Sequence, residues 1–481
     1  MTIPPLTLSP DEMRRAGYAV IDRLVEHYAT LNEQSPWGDG EIPAPNPFDA
    51  PPPREGVAFE TLLARLDKEF FPYNLRVNHP RFYSFIPGPS NFIGVLADTL
   101  AAGFNIFGGT WIGGSGTAQM ERASIKWVRD AVGFPEDSFG LFTSGGSAAN
   151  VIALAAARHS RLKGPLENAR IYMSSETHSS VERGLRILGF KSHQCRKIKV
   201  DENLRIDVLS LTDAICEDRA KGFDPIAVVA NAGTTNTGAV DPLHQLADIC
   251  RRENVWMHID GAYGAGAVFS KRGRAMLDGV ERADSVSFDA HKWLFQPFEI
   301  GGVLVRDGET LHSAFNIDAS YLRDTKKLFG RGVNFGEHGI QLTRASRALK
   351  FWLTFQAFGA DEIERAINNG LDMAEAAETM IRSLPHWRVI SPASLGALAF
   401  RAAPSGWSDE AADRLNSEIA ARSRADGKDM IVTTEFKGRV ALRICPINPR
   451  LTKSDMQGTI ERLDLAALAA MSDAENADET R

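Results

Sequence analysis

Between about residues 120 and 306, stretches with helical spacing alternate with short runs rich in β-branched residues. Two of the helical stretches cover 121–132 and 147–163. The strand-like runs are ARIYMS (169–174), IAVVAN (226–231), VWMHID (255–260), SVSF (285–288) and GGVLV (301–305). Alternation of this kind predicts a mostly parallel sheet with helices on both faces. Because such sheets bind ligands beyond the carboxyl ends of their strands, the residues that follow these runs are the candidates for function.

The overall composition excludes several classes of protein. The 481 residues carry a net charge of −7, from 54 basic and 61 acidic side chains, which gives no reason to expect nucleic acid or an anionic membrane as a partner. No uninterrupted apolar run reaches about 18 residues, so no membrane span is predicted. The four cysteines lack CxxC spacing and the N-terminus lacks the regions of a signal peptide. We therefore expect no metal site, no disulfide framework and a cytoplasmic location.

The sequence divides into four segments. Residues 1–85 begin with the capping-box sequence SPDE, followed by an amphipathic helix and the proline-rich stretch 43–55. We interpret this segment as a helical arm that packs on a partner subunit. Residues 86–360 form a predicted large domain around the parallel sheet. Residues 361–470 form a predicted small α+β domain, and the polar tail 471–481 is expected to be disordered.

A glycine-rich turn leads into a helix at FTSGGSAANVIALAAAR (142–158). The free backbone N–H groups and the dipole at a helix N-terminus form an anion site, which favours phosphate binding by Gly145, Gly146 and Ser147. The stretch is neither a Walker A loop nor GxGxxG, so no nucleotide is specifically indicated. The alternative is an ordinary serine-capped helix after a glycine turn.

Three titratable side chains follow other strand-like runs. Asp260 in HIDGAYGAG ends an apolar strand, and a buried carboxylate there needs a partner such as a protonated ring nitrogen, unless it caps a turn. His178 in ETHSSVERG opens a helix, which suits a capping or core role as well as a catalytic one. Lys292 in SFDAHKW lies near an apolar surface, where a lysine can lose its proton and form a Schiff base or can extend its head into water.

Taken together, these features describe one ligand. A phosphate at a helix N-terminus, a carboxylate for a ring nitrogen, an imidazole for stacking and a lysine for an aldehyde match pyridoxal 5'-phosphate. Asp260 and Lys292 follow successive strands, so both should project to one side of the sheet.

The motifs SFDAHKW, HIDGAYGAG, THSSVE and HPRFYSF together resemble those of the group II pyridoxal-phosphate-dependent amino acid decarboxylases. That family includes aromatic-L-amino-acid, histidine and glutamate decarboxylases. The resemblance runs in order from about residue 10 to 465. It implies an α/β protein of PLP fold type I (aspartate aminotransferase-like), with a mostly parallel seven-stranded sheet in the large domain and a small α+β C-terminal domain. It also implies a homodimer with active sites at the interface.

The resemblance assigns roles residue by residue. Lys292 would link to the cofactor aldehyde and Asp260 would pair with the pyridine nitrogen. The methyl group of Ala262 and the imidazole of His178 would lie against opposite faces of the ring. Thr235 would lie near the ring and the substrate. The residues expected to hold the phosphate are Gly146, Ser147 and His291.

Two further parts of the site follow from the resemblance. Tyr321 matches a loop tyrosine that returns a proton after carbon dioxide leaves, and the polar, glycine-containing run 322–336 resembles a mobile lid. The alternative for this run is an ordinary surface loop. The segment around HPRFYSFIPG resembles the apolar wall used for aromatic side chains, although at least two of Phe82, Tyr83, Phe85 and Ile86 are expected to be ordinary core residues. The substrate pocket is predicted at Phe82, Phe85, Ile86 and Pro87.

Two departures from the family pattern bear on the site. Asp289 stands where the family often has asparagine, and a carboxylate near a phosphate is repulsive unless it points away, for example to cap a turn. The GGTW run at 108–111 has glycine where aromatic-amino-acid members carry a bulky pocket residue, so the substrate stays open.

The leading hypothesis is decarboxylation of an aromatic L-amino acid to its amine and carbon dioxide. The alternatives are decarboxylation of glutamate or histidine, an aldehyde synthase that adds oxidative deamination, an aminotransferase, and a non-catalytic relative that only binds the cofactor or a partner. Tyr321 favours simple decarboxylation, because the aldehyde-synthase branch commonly has phenylalanine there.

Overall fold

A computed structural model of the protein describes residues 6–42, 44–317 and 332–479, with side chains through residue 476. Among the described residues, no helix combines the length and the apolar composition needed to span a bilayer.

Seven strands form the larger of two sheets. They are β1 (Phe139–Thr143), β2 (Ala169–Ser174), β3 (Cys195–Ile198), β4 (Asp224–Asn231), β5 (Trp256–Gly261), β6 (Ser285–Phe288) and β7 (Gly301–Val305). Their order across the sheet is β1-β7-β6-β5-β4-β2-β3. Strand β7 is antiparallel to both of its neighbours, β1 and β6, whereas the remaining pairs are parallel. The prediction of a mostly parallel seven-stranded sheet is confirmed.

Both faces of this sheet are buried, which explains why most side chains of its central strands are apolar. In β4, Ala227 and Val229 pack into the hydrophobic cluster on one face. The alternate residues Val228 and Ala230 pack into the cluster on the other face. A strand buried on both sides favours apolar residues along most of its length, since successive side chains point to opposite faces.

Helices cover both faces of the large sheet and surround the small one. They are α1 (Pro10–Ala29), α2 (Phe59–Glu69), α3 (Phe92–Gly103), α4 (Trp111–Val132), α5 (Gly146–Arg161), α6 (Ser179–Ile187), α7 (Val208–Ala220), α8 (Leu243–Glu253), α9 (Lys271–Met276), α10 (Ala290–Trp293), α11 (Gly308–Phe315), α12 (Ala348–Phe358), α13 (Ala360–Ser383), α14 (Asp409–Asp426) and α15 (Lys453–Glu479). Helices α5, α6 and α11 pack on one face of the sheet, and α4, α7, α8 and α12 pack on the other.

The first helix begins as the sequence predicts. The Ser9 hydroxyl accepts a hydrogen bond from the backbone N–H of Glu12 at 3.3 Å, and the Glu12 carboxylate accepts one from the Ser9 N–H at 2.7 Å. Pro10 occupies the first turn, where its missing N–H costs nothing. No residue of α1 is fully buried within the single chain: Met13 of its apolar stripe is exposed, and Val20, Leu24 and Tyr28 are half-buried.

The small sheet is antiparallel and lies in the C-terminal part of the chain. Its strands are β8 (Trp387–Ser394), β9 (Ala397–Ala402), β10 (Val432–Phe436) and β11 (Arg439–Ile444), in the order β10-β11-β9-β8. Helices α13, α14 and α15 pack against it and share one hydrophobic cluster with it. The predicted α+β character of this part of the chain is confirmed.

The expectation of a disordered tail at 471–481 was wrong for its first part, because α15 continues to Glu479. Leu463, Ala467 and Ala470 are buried in the cluster beside the small sheet. The alanine and glutamate residues that follow have high helix propensity, so the helix extends beyond its last buried turn.

Part of the predicted N-terminal arm is integrated into this chain. The Tyr83 N–H donates to the Met430 carbonyl oxygen at 3.0 Å, and the Cys445 N–H donates to the Tyr83 carbonyl oxygen at 3.0 Å. The backbone around residue 83 is thus satisfied beside the small sheet rather than on another subunit. The four domain boundaries themselves stay predictions.

Candidate active site

A cleft of about 320 Å³ lies at the carboxyl ends of the central parallel strands. Strands β4, β5 and β6 run in the same direction, so their ends meet at one edge of the sheet. The residues predicted to bind the cofactor all line this cleft: Gly145, Gly146, Ser147, His178, Thr235, Asp260, Ala262, His291 and Lys292. Residues far apart in the sequence therefore lie within one small volume.

The turn between β1 and α5 forms the floor of an anion cradle. Helix α5 begins at Gly146, and its first backbone N–H groups have no partner within the helix. Gly146 packs so closely that a Cβ there would lie 2.6 Å from the Cβ of Ala262. A Cβ at Gly145 would lie 3.3 Å from the His291 ring. The two glycines therefore keep this end of the cleft open to a phosphate.

Asp260 ends β5 with its side chain almost fully buried and held from three directions. One carboxylate oxygen accepts from the Ala262 N–H at 3.1 Å and from the Ser287 hydroxyl at 3.4 Å. The other accepts from the Asn150 amide at 3.0 Å. These donors fix the carboxylate in one orientation within the cleft wall.

His178 caps helix α6, which begins one residue later. Its Nδ1 accepts from the Ser180 N–H at 3.3 Å and lies 2.9 Å from the Ser180 hydroxyl. Because a backbone N–H can only donate, Nδ1 carries no proton and a neutral ring carries its proton on Nε2. The sequence left a capping role and a catalytic role as alternatives for His178. In the structure this residue both caps α6 and lines the cleft.

Lys292 lies in α10 with its amine in the cleft and 24% of its side chain exposed. Its Nζ is 2.8 Å from a carboxylate oxygen of Asp289. The interpretation of Asp289 as a turn cap is wrong, because its side chain makes no capping hydrogen bond to α10. The lysine attracts the carboxylate into the cleft, where its Oδ1 is buried and has no hydrogen-bond partner among the described residues.

His291 presents a second imidazole to the cleft. Its Nδ1 accepts from the Ile300 N–H at 3.3 Å, which leaves Nε2 as the donor. That Nε2 lies 3.6 Å from the Asp289 carboxylate. Burial lowers the pKa of His291 below its usual value, although Asp289 opposes the shift. The ring is thus oriented to donate toward the anion cradle.

The predicted substrate pocket is not part of the cleft wall. Phe82 is 2% exposed and packs in the interior, as does Tyr83, so the expectation of at least two core residues in this segment holds. Pro87 is buried, Ile86 is half-buried and Phe85 is 58% exposed. The segment passes close to the cleft all the same, because a Cβ at Gly88 would lie 3.2 Å from the His291 carbonyl oxygen. Of the four predicted residues, Phe85 alone presents a largely exposed ring.

Tyr321 and residues 322–331 of the predicted lid lie outside the residues that the structure describes. The proton-return and lid roles therefore stay predictions.

The sequence interpretation missed two residues behind the cleft, Asn150 and His258. Both are fully buried and hydrogen-bonded to each other at 3.0 Å. A signal for His258 was present, because residues two apart on a strand share a face and Asp260 follows it at that spacing. Asn150 is four residues beyond Gly146, on the same side of α5 as the cradle.

The donor set of the cleft fits pyridoxal phosphate. The helix N-terminus suits the phosphate, the Asp260 carboxylate suits a protonated ring nitrogen, and the Lys292 amine suits the aldehyde. The methyl group of Ala262 and the imidazole of His178 offer flat contacts for the ring.

The comparisons with known proteins agree with this chemistry. The model of the pyridoxal-dependent decarboxylase conserved domain matches residues 48–403. The chain belongs to the pyridoxal-dependent decarboxylase family, and it is a carboxy-lyase of PLP fold type I that uses pyridoxal phosphate to decarboxylate an amino acid.

Individual relatives match over nearly their whole length. Aromatic-L-amino-acid decarboxylase of Bacillus atrophaeus is 44% identical over 454 residues, which cover 94% of this chain and 94% of that protein. Phenylacetaldehyde synthase of Arabidopsis thaliana is 27% identical over 461 residues, which cover 93% of this chain and 94% of that protein. The crystal structure of Oryza sativa TDC with PLP and tryptamine is similar with a TM-score of 0.92 at 25% identity, and the match covers 98% of this chain and 100% of that one.

Proposed function

We propose that this enzyme decarboxylates aromatic L-amino acids to the corresponding amines. The observation that carries the proposal is the exposed ring of Phe85, in a segment whose Gly88 approaches the backbone of His291 in the cleft. The Phe85 backbone is anchored, because its carbonyl oxygen accepts a hydrogen bond from the buried guanidinium of Arg443. An apolar ring held at a fixed position suits a planar, apolar substrate side chain. The 44% identity with an aromatic-L-amino-acid decarboxylase supports the same choice.

The reaction replaces the carboxylate of the substrate with a proton. When bound, pyridoxal phosphate supplies an aldehyde that links to an amine and a ring that accepts the electron pair left as carbon dioxide departs. Lys292 offers the amine that holds the cofactor before and after each turnover. Asp260 holds the proton on the ring nitrogen, which keeps the ring electron-withdrawing, and its own three donors hold it in place. His178 and Ala262 line the same cleft and would hold the ring between them.

Tyr321 is proposed to deliver the proton to Cα. Tyr321→Phe is therefore expected to divert part of the flux to the aldehyde, because an unprotonated Cα is open to attack by dioxygen. Amine, aldehyde, ammonia and peroxide are measured together under air. An amine yield equal to that of the wild-type enzyme would show that Tyr321 does not donate this proton.

A panel of amino acids tests the substrate class. Purified enzyme is supplied with phenylalanine, tyrosine, tryptophan, histidine and glutamate, and carbon dioxide release is measured for each. We expect turnover of at least one aromatic substrate and little with glutamate, because the described residues that line the cleft include no arginine for a second carboxylate, and Lys292, the one lysine among them, would hold the cofactor. Stoichiometric peroxide with the wild-type enzyme would instead assign it to the aldehyde synthases, a class that the similarity to phenylacetaldehyde synthase makes worth testing.

We further propose a homodimer in the cytoplasm. More than half of the exposed large apolar side chains among the described residues lie between Leu6 and Phe85, in the segment predicted to pack on a partner subunit. A cavity of about 880 Å³ also opens between α1 and α2, lined in part by Val20, Leu24 and Leu63. All four cysteines are free, which suits a reducing compartment.

A further inference from the structure

A continuous chain of buried polar side chains runs behind Asp260, away from the cleft. It starts at Trp256, passes through Ser285, His258 and Asn150, and ends at the Asp260 carboxylate. Ser285, His258 and Asn150 are fully buried, and Trp256 and Asp260 nearly so. The chain joins β5, β6 and α5, of which β5 and α5 also supply residues to the cleft.

The hydrogen-bond directions in this chain are set by the groups at its two ends. The indole Nε1 of Trp256 can only donate, and the Ser285 hydroxyl accepts from it at 2.8 Å. At the other end the Asp260 carboxylate accepts from the Asn150 amide nitrogen, so the amide oxygen faces Nε2 of His258. Because that oxygen can only accept, the proton of a neutral His258 is on Nε2, and Nδ1 is free to accept from the Ser285 hydroxyl at 2.9 Å. Burial lowers the pKa of this histidine to about 4, which keeps it neutral.

The orientation of the Asn150 amide is fixed as a result. His258 Nε2 donates to the Asn150 carbonyl oxygen at 3.0 Å, so the amide nitrogen must face the other way. That nitrogen donates to Asp260 at 3.0 Å. A flipped amide would set its oxygen against the carboxylate and its nitrogen against an N–H, two repulsive contacts in a buried site.

The same amide also reaches the opposite wall of the cleft. Asn150 Nδ2 lies 3.4 Å from the Ser180 hydroxyl, and that hydroxyl lies 2.9 Å from Nδ1 of His178. The carboxylate predicted to face the ring nitrogen and the imidazole predicted to cover the ring are therefore connected through one side chain.

We propose that Asn150 is a positioning residue for the cofactor ring: its amide, oriented by His258, aims the Asp260 carboxylate at the ring nitrogen and holds His178 through Ser180. This inference rests on the proposed roles of Asp260 and His178. It makes those roles depend on Asn150 and His258, two residues that do not line the cleft.

The primary test is Asn150→Asp, which keeps the shape of the side chain but replaces the donor to Asp260 with a carboxylate oxygen. The dissociation constant of pyridoxal phosphate is measured by titrating the full-length apoenzyme, and the absorbance spectrum of the bound cofactor is recorded. We expect the dissociation constant of pyridoxal phosphate to rise about tenfold or more, because a buried hydrogen bond of this kind contributes roughly 1–3 kcal/mol. We also expect an altered spectrum and a fall in kcat larger than the rise in KM. Cofactor affinity and spectrum equal to those of the wild-type enzyme would overturn the proposal.

A pair of variants at His258 tests the orienting step without touching the cleft. His258→Gln retains an N–H donor at the position of Nε2, whereas His258→Leu removes it. We expect cofactor affinity within about threefold of wild type for the glutamine variant and about a tenfold loss for the leucine variant. If both variants lose affinity equally, the donor is irrelevant and the proposal fails. This pair also provides a result if Asn150→Asp does not fold.

Two controls are used. One separates the positioning role of Asn150 from an effect on stability, and the other separates it from the role of Asp260. Asn416 is a buried amide in α14, far along the chain from the cleft, bonded to the Ala402 backbone at 2.8 and 2.9 Å. Asn416→Asp is expected to lower the melting temperature of the apoenzyme and leave the cofactor affinity unchanged. If Asp260→Ala keeps normal affinity and activity, the role of Asp260 is wrong. If Asp260→Ala is impaired while the Asn150 and His258 variants are not, only the present inference is wrong.

Discussion

Lys292 is an amine in a mostly buried cleft, and its charge in the free protein is matched by Asp289 at 2.8 Å. The pairing holds Nζ toward the cleft rather than toward solvent. A lysine that reacts with an aldehyde must be both accessible and directed, and the ion pair supplies the direction. Asp289 thereby has a part in the site that a turn cap would not have.

Lys292→Ala is expected to abolish turnover, because no other lysine is among the described residues that line the cleft. Borohydride reduction of the holoenzyme followed by peptide mapping should label the peptide that contains residue 292 in the wild-type protein and leave it unlabelled in the variant. Lys350 is a matched control, since it is also buried and paired with an aspartate, Asp98, at 2.8 Å. Lys350→Ala should keep the label at 292, and a label on any other lysine of the wild-type protein would refute the assignment.

His258 makes the protein sensitive to acid. Its pKa is about 4 in the folded chain, below the usual 6.5, because burial disfavours its charged form. The unfolded chain therefore binds a proton between about pH 6.5 and 4 that the folded chain does not. Its contribution to stability is fully present above pH 6.5 and is lost as the pH falls through this window, at up to about 1.4 kcal/mol per pH unit.

His258→Gln removes this titration while keeping the hydrogen bond to Asn150. We expect the free energy of unfolding of the variant apoenzyme to fall less than that of the wild type between pH 7 and 5, by about 1–2 kcal/mol. Urea denaturation at the two pH values measures the difference. Equal losses of unfolding free energy in both proteins would mean that protonation of His258 does not affect stability.

At the scale of elements, a buried ion pair joins α4 to the segment that precedes α12. The guanidinium of Arg344 pairs with both carboxylate oxygens of Glu121, one of them at 2.5 Å, and both side chains are almost fully buried. Arg344 also donates to the Phe142 carbonyl oxygen at 2.7 Å, so the pair ties two elements to β1. The N-terminal end of α5 follows β1 directly, and the anion cradle depends on this anchoring.

Glu121→Gln is expected to destabilise the protein by about 3–5 kcal/mol, because it leaves the Arg344 charge buried without a counter-charge. Asp67→Asn is the matched control, since Asp67 pairs with Arg23 at 3.0 Å on the surface. Asp67→Asn is expected to lower the free energy of unfolding by less than about 1 kcal/mol. Thermal unfolding of the two variants at one pH compares them, and similar losses would show that burial does not govern the strength of the Glu121 pair.

The elements that the sequence predicted are those with one clear physical signal. The five apolar runs of the mostly parallel sheet were recognised because a strand buried on both faces is mostly apolar. Strand β3 was missed, because it lies at the edge of the sheet and carries Arg196 and Lys197. Charged residues suit an edge strand, which needs only partial burial, and they remove the apolar signal.

The residues of the candidate site also divide into those that the sequence could predict and those that it could not. Residues at strand ends, such as Asp260 and Lys292, could be predicted because the carboxyl edge of a parallel sheet is a known ligand position. The role of Asn150 could not, because it depends on which side chains from other elements reach its two ends. The position of Asp289 was misjudged because a capping residue and a residue drawn inward by a lysine have the same local sequence.

At the scale of the whole molecule, the surface of α1 points to assembly. Tyr18 and Val25 are both more than half exposed on this helix. Tyr18→Asp combined with Val25→Asp is expected to convert the proposed dimer to monomers and to reduce activity, since two carboxylates would be desolvated in an apolar interface. Light scattering coupled to size-exclusion chromatography measures the mass. Leu209→Asp, at an equally exposed apolar position on α7, should leave the mass unchanged; dimers in both proteins would exclude α1 from the interface.

The cofactor cleft takes its lining from segments spread between Gly145 and Lys292. An unfolded chain cannot assemble such a lining, so pyridoxal phosphate binds the folded protein alone and each tenfold excess over its dissociation constant adds about 1.4 kcal/mol to stability. A cell short of vitamin B6 would therefore lose this enzyme in two ways at once. The molecules present would lack their cofactor, and the unliganded chains, more often unfolded, would be degraded sooner.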